Sequence, residues 1–397
     1  MRFFDIGADS GCFDEHLNRE VMQRVANTCY LPSNSLLLKL IKRNPEIRIA
    51  FSISGITLEQ FESYAPEVLD SFRTLAETGN VEFLGETYYH SLASLMPGHE
   101  FEIQALKHAE VIERYFGKRP TVFRNTELIY NDDIGKRVCM LGFNGIFTDG
   151  IQKVVKNNKS VHQMYAHPTE PDLKIFLRDF LLSDDIAFRF SQHGSRLTAD
   201  KYIAWLNEIP AYDKLVTIAM DYETFGEHQK KETGILDFLR ELLVKLAKSP
   251  SHRMMTPSEA ISELTPHSTL SVPEHVSWAD HERDLSAWLG NDMQRDAFNS
   301  MMKLDRTVKA MANPDVLRKW RQLQTSDHFY YMSTKNGSDG TVHNYFSPYP
   351  SPYEAFINYM NVLTDFSVQL DMKKSASKAP RAKRITPALP PMQEASV

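Results

Sequence analysis

Short apolar runs of strand length recur along this chain with amphipathic helical stretches between them, and the alternation stops after Pro257. Residues 47–54 alternate and then turn apolar before Gly55; residues 58–76 have helical spacing, with Phe61, Tyr64, Val68, Leu69 and Phe72 on one side. The same pairing follows at 81–84 with a helix over 100–116, and at 122–124 with a helix over 132–141. Strand-like runs at 145–148, 174–177 and 215–220, helices over 199–208 and 235–247, and a short run at 253–256 complete the series. Parallel strands need crossover connections, and helices supply them, so the pattern predicts a parallel α/β sheet, most simply closed as a barrel. Beyond Pro257 only helices are expected, over 279–302, 314–324 and 353–370.

A chain of 397 residues has room for one such barrel, which commonly takes about 250 residues, and a helical addition. The expected organisation is therefore a barrel over 1–260, a helical region over 261–372 contributing to the site, and a disordered basic tail over 373–397. That tail holds Lys373, Lys374, Lys378, Arg381, Lys383 and Arg384 against Glu394, a net +5; the chain's −6 then leaves −11 for the remainder, a poor match for nucleic acid. No run reaches the ~20 apolar residues that span a bilayer, and the first residues meet acid and glycine at once, unlike a secretory leader. A cytoplasmic location is expected; oligomeric state is not legible. Cys12, Cys29 and Cys139 are too few and too scattered for a disulfide framework or zinc knuckle.

The chemistry is expected at the strand ends. The run 215–220 ends in Asp221, with Glu223 and Glu227 close behind; the short run 122–124 ends in Arg124, with Glu127 after it. A single acid in such a place is more often a helix cap or a surface charge, but two carboxylates on two strand ends can split acid and base roles. Arg124 is placed to keep Glu127 ionised, and the acids around Asp221 to raise its pKa. There is no H-x-x-x-H: His162 and His167 are five apart, His275 and His281 six, neither the spacing of ligands on one helix face. Phosphate-cradling and nucleophile-elbow motifs are also missing. No metal or other cofactor is expected.

Phe123-Arg124-Asn125-Thr126-Glu127-Leu128-Ile129-Tyr130 and Asp221-Tyr222-Glu223-Thr224-Phe225-Gly226 resemble the nucleophile and acid/base motifs of glycoside hydrolase family 57, closest to its α-amylase-like members. The likeness runs from about residue 2 to about 370. It includes residues 79–90, Ser277-Trp278-Ala279-Asp280 through Trp288-Leu289-Gly290-Asn291, and His343-Asn344-Tyr345-Phe346-Ser347-Pro348-Tyr349. The resemblance implies a distorted (β/α)7-type barrel with a helical C-terminal region. It also implies an enzyme acting on α-1,4-glucans such as starch or glycogen, with Glu127 as nucleophile and Asp221 as acid/base. Sugar contacts would come from Glu82, His90, Arg124, Glu223, Trp278, Asp280, Asp284 and Trp288, with Trp278 or Trp288 at the rim, where indoles can stack on sugar faces.

Family members usually begin with a strand ending in His-Gln-Pro, and this sequence begins at the segment after it, Arg2-Phe3-Phe4-Asp5-Ile6-Gly7. A barrel lacking a strand would carry two unpaired edges. The alternative expectation is accordingly a catalytically impaired α-glucan-binding homologue that keeps both acids without part of the sugar site.

Overall fold

The computed structural model describes residues 12–156, 159–191, 196–335 and 347–378. Two helices, α1 (Glu15–Val25) and α2 (Leu31–Arg43), run into each other through a π-helical turn at Ala26–Tyr30. Strand β1 (Ile49–Phe51) leads to α3 (Gly55–Tyr64) and α4 (Pro66–Ala76), then β2 (Val81–Phe83) and α5 (Glu100–Phe116). Strand β3 (Val122–Phe123), α6 (Asp132–Met140), β4 (Gly145–Asp149), β5 (Met164–Ala166) and β6 (Lys174–Arg178) follow. Helices α7 (Phe180–Ala187), α8 (Ala199–Glu208), α9 (Ile235–Ala247) and α10 (Pro257–Glu263) complete the α/β part. The remainder is α11 (Ser286–Leu289), α12 (Asp292–Lys303), α13 (Asp305–Met311), α14 (Pro314–Gln322), α15 (Ser326–Tyr330) and α16 (Pro352–Lys378).

The strands β1, β2, β3, β4 and β6 lie side by side and parallel, as expected, with Ile49 opposite Val81 and Gly145 opposite Val122 and Lys174. The first pair joins the rest through Gly85, whose N–H donates to Val122 O at 2.8 Å and whose carbonyl accepts from Arg124 N at 2.8 Å. A Cβ at Gly85 would come 2.6 Å from the Phe143 ring, so glycine leaves that ring room to pack against the junction.

Two expected strands do not form. Residues 215–220 are extended but half-exposed, with one bridge, Thr217 to Arg178. The physical reason is β5, a strand absent from the sequence reading, which pairs antiparallel along 174–176 and covers most of the free edge of β6. Residues 253–256 lead into α10 without ladder bonds. Among the described residues, no ladder joins 215–220 to β1, so the ring is open between them. The expected helix over 58–76 is two helices, since Pro66 pushes Ala65 out of the helical region (φ −154°, ψ 60°). The expected helix over 279–302 begins only at Ser286, because Asp280 and Arg283 take positive φ in the preceding turn. Helix α16 continues to Lys378; residues 379–397 and the His343–Phe346 part of the aromatic loop lie outside the described residues.

Three apolar clusters fix the frame. One binds β3, β4 and β6 to the helical region, from Phe123 and Ile146 to Trp320, Phe329 and Phe366, so the helices share a core with the sheet. A second packs β1 and β2 against α1 to α4, α8 and α9. In it Phe72, 1% exposed, lies 5.2 Å from the Phe51 ring and 6.1 Å from Tyr222, tying the loop after 215–220 to β1. Removing such a ring typically costs about 3–5 kcal/mol. The third, with Leu84, Phe147 and Phe176, lines the inner face of the parallel sheet along the cleft described below.

Candidate active site

A cleft of about 2210 Å³ opens along the carboxyl ends of the strands and is lined by Glu86, His90, Arg124, Glu127, Asp221 and Glu223, among others. Glu127 stands in a single 3-10 turn, Thr126–Leu128, directly after β3, with φ 58°. A non-glycine residue in that region costs on the order of 1–3 kcal/mol, and surrounding bonds hold it there. Thr126 Oγ1 meets Thr87 Oγ1 at 2.6 Å, and Asn125 Nδ2 donates to Ile129 O at 2.8 Å. The strain aims the carboxylate at three donors. His90 Nε2 at 3.1 Å and Ser326 Oγ at 3.0 Å reach Oε1, and Trp278 Nε1 at 2.9 Å reaches Oε2.

Burial alone would raise the Glu127 carboxyl, but the hydrogen bond and charge of His90, the charge of Arg124 and the Trp278 donor outweigh it and bring its pKa down to about 2. His90 itself has φ 48° and lies between Glu127 and Glu86. Burial would lower its pKa, but the two carboxylates raise it to about 10. Arg124, expected beside Glu127, makes its ion pair with Glu86 at 3.7 Å and sits 4.7 Å above the Trp278 ring. Its charge is thus a weaker influence on Glu127 than His90.

Asp221 comes at the end of the extended segment and is accessible through the cleft. Enclosure by the cleft walls raises its carboxyl pKa, Glu223 and Glu127 push the same way, and His228 and Arg124 oppose them. The expected help from Glu227 is not there: that carboxylate is held by Arg24 at 3.1 Å, Thr28 at 3.0 Å and Lys230 at 3.4 Å. Gly226 (φ 131°) passes so close to the π-helical turn that a Cβ would lie 2.0 Å from Thr28 O. The same turn presents Tyr30, whose hydroxyl donates to Glu223, and Cys29, whose thiol donates to Tyr222 O at 3.2 Å. Glu223 therefore lines the cleft, braced from the π-helical turn.

Of the other expected residues, Trp278 is beside Glu127 as a donor instead of at the rim, and Asp280 lines the cleft, paired with Lys335 at 3.0 Å. Glu82 is a correction: its carboxylate accepts from Ser258 N at 2.9 Å and Ser258 Oγ at 2.5 Å, capping the start of α10 away from the cleft. Asp284 is another, since it accepts from the N–H and hydroxyl of Ser286 and closes a turn. Trp288 is 1% exposed against Tyr330 and backs the wall from within the helical core, so it offers no stacking face.

Sequence reasoning missed Glu86, Tyr30, Ser326 and Asp327. Ser326 and Asp327 come from α15, and Ser326 N also donates to His90 O at 2.9 Å. Burial pushes the Asp327 carboxyl up, against the pull of His90. Only Glu86 left a signal, four residues before His90. Behind Trp278, Arg178 and Arg283 pair with Asp149 and Asp184 in a buried square, and Arg283 Nη1 donates to Trp278 O at 2.5 Å. Among the described residues no group of three or more His, Cys, Asp and Glu is arranged to hold a metal ion, and no helix is long and apolar enough to cross a membrane.

Residues 2–273 match the family described as Glycosyl hydrolase family 57. The chain belongs to this family. A protein of Methanocaldococcus jannaschii named "Putative alpha-amylase" is 43% identical over 367 residues, 89% of this chain and 77% of that one. A 4-alpha-glucanotransferase of Thermococcus litoralis is 22% identical over 263 residues, 64% of this chain and 38% of that one. Among solved structures, the family 57-type branching enzyme of Pyrococcus horikoshii superposes with a TM-score of 0.69 at 16% identity, over 95% of this chain and 89% of that one. The Thermococcus litoralis glucanotransferase gives 0.64 at 20% identity, over 78% and 53%. At such identities these two structures establish the shared fold, and the family match establishes membership among the glycoside hydrolases.

Proposed function

We propose that this family 57 member cleaves α-1,4-glucosidic bonds of starch- or glycogen-like glucans with retention, passing the glucosyl unit to water or to another glucan. The observation that carries this reading is the opposite push on two carboxyls lining one cleft: Glu127 held ionised at about 2, Asp221 raised. The relatives named as an amylase and a glucanotransferase supply the substrate class.

In the first step a Glu127 oxygen attacks the anomeric carbon as the glycosidic C–O bond breaks, its electron pair going to the departing oxygen, which takes the Asp221 proton. In the second, water or a glucan hydroxyl attacks that carbon, gives its proton to Asp221, and the ester electrons return to Glu127. Retention implies carboxyl groups about 5–5.5 Å apart when substrate is bound, against about 6.5–9.5 Å for inversion. Glu223 and Asp280 would meet sugar hydroxyls, while His90, whose two ring nitrogens face Glu86 and Glu127, would act through Glu127. On the same likeness we read the open parallel ring as a (β/α)7-type barrel over 1–260, with 261–372 as a helical region completing the site.

The test is proton NMR of the first product from maltooligosaccharides. Retention predicts an α-anomer before mutarotation. An initial β-anomer would rule out this mechanism, and tight glucan binding with no turnover would favour an impaired binding homologue.

A further inference from the structure

We propose that Glu86 is a positioning residue for Glu127, holding the far nitrogen of the His90 ring so that the near nitrogen stays a donor to the reacting carboxylate. The inference rests on the reading of Glu127 as nucleophile. It starts from the ring itself, which has a carboxylate at each end: Glu86 Oε1 is 3.6 Å from Nδ1, and Glu127 Oε1 is 3.1 Å from Nε2. A neutral imidazole has one N–H and one lone pair, so either tautomer would aim a lone pair at an anion. Only the doubly protonated ring suits both neighbours, and the raised pKa of His90, about 10, agrees with that state.

Glu86 is built in for this task. It is 2% exposed, and Oε2 accepts from Ser52 Oγ at 2.6 Å with Arg124 at 3.7 Å. Among the described residues Oε1, the oxygen turned to His90, accepts no hydrogen bond, and the His90 ring is the cation it faces. A buried carboxylate is costly without a cation. The main chain is pinned as well: Glu86 N donates to His108 Nδ1 at 3.1 Å, so the His108 proton sits on Nε2, 2.8 Å from Ile53 O. That second imidazole is neutral, its pKa lowered by burial, and serves as a fixed acceptor. The two histidines beside Glu86 thus hold different charge states because one meets carboxylates and the other backbone.

The arrangement has a consequence for the covalent step. When Glu127 becomes an ester it loses its charge, and Glu86 is then the carboxylate left against the imidazolium, with Arg124 a like charge and Asp327 a raised carboxyl nearby. Glu86 keeps the ring cationic through the intermediate, so it is ready to receive the carboxylate when the ester breaks.

The experiment follows His90 by long-range proton–nitrogen NMR on histidine-labelled full-length protein, beside kcat and KM across pH. In Glu86→Gln, which keeps shape and removes charge, the His90 titration should fall by at least one pH unit. With it, kcat should drop roughly 10- to 100-fold while KM changes less than threefold. Glu86→Asp should recover part of both. Ser52→Ala, which only loosens the carboxylate, should shift His90 the same way by less, and it decides the matter if Glu86→Gln fails to fold. An unmoved His90 titration in the folded variant overturns this proposal even where Glu127→Gln is inactive. Full turnover by Glu127→Gln would instead remove the nucleophile assignment beneath it.

Discussion

The two walls of the cleft are made differently. The Glu127 wall is rigidly built: three donors fix the carboxylate, His90, Glu127 and Leu128 on it take positive φ, and a square of two arginines and two aspartates stands behind Trp278. The Asp221 wall is an extended, half-exposed segment with one bridge to the sheet, steadied by Tyr222 packing onto Phe51 of β1 and onto Tyr30 of the π-helical turn. The difference suits the roles proposed for the two carboxyls. An ion in a protein interior needs counter-charges and donors placed in advance. A carboxyl that keeps its proton needs only partial enclosure and nearby negative charge, which a loosely paired strand can give.

Four measurements would break or sharpen this comparison. The largest effect is expected from Glu127→Gln, which keeps size and removes the proposed nucleophile: turnover of maltooligosaccharides should fall ~10⁴-fold or more, with glucan affinity by calorimetry changed little. Loss of affinity in parallel with turnover would mean the braced wall is a binding feature. Next, Asp221→Asn should slow cleavage of natural glucans about 10²- to 10⁴-fold, the usual worth of proton transfer, but slow activated aryl or fluoride substrates far less. Equal losses on both substrates would take the acid role from the loose wall. In the wild type, activity should decline as pH rises through the raised Asp221 value, because the proton is then gone.

The smallest effect is on stability. Glu127 is depressed from 4.5 to about 2, so its contribution is present above about pH 4.5 and is lost as pH falls through 2. His90 is raised from 6.5 to about 10, so its contribution is full below about pH 6.5 and is lost as pH rises through 10. The two shifts share the His90–Glu127 pair, with Arg124 and Trp278 adding to the first and Glu86 to the second, and the smaller of them corresponds to roughly 3 kcal/mol. Urea unfolding of wild type should gain its full share from the pair between about pH 4.5 and 6.5, and His90→Gln should flatten both slopes. Unchanged slopes in that variant would show that the bracing has no electrostatic share.

Local patterning made most elements legible. The helices over 100–116, 199–208 and 235–247 follow apolar spacing, and the strands at β1, β2, β3, β4 and β6 follow short apolar runs. The failures have tertiary causes. Residues 215–220 are apolar because they face the ring interior and cleft, which makes a half-open segment read like a buried strand. The acids divide likewise: Glu127 and Asp221 announce themselves at strand ends, while Glu82 and Asp284 sit in motif-like stretches yet spend their oxygens on Ser258 and Ser286.

The sequence by itself determined the alternation of strand and helix, the family, and the two acids, because apolar period and motif order are local properties of the chain. Which neighbours give those acids their charge states was decided only by the tertiary structure. His90 is 37 residues from Glu127, Trp278 is 151 away, Ser326 is 199, and Tyr30 is 193 from Glu223. Hydrogen bonds and Coulomb forces act over a few ångströms, and such distant residues come that close only when the sheet and helical region share one core.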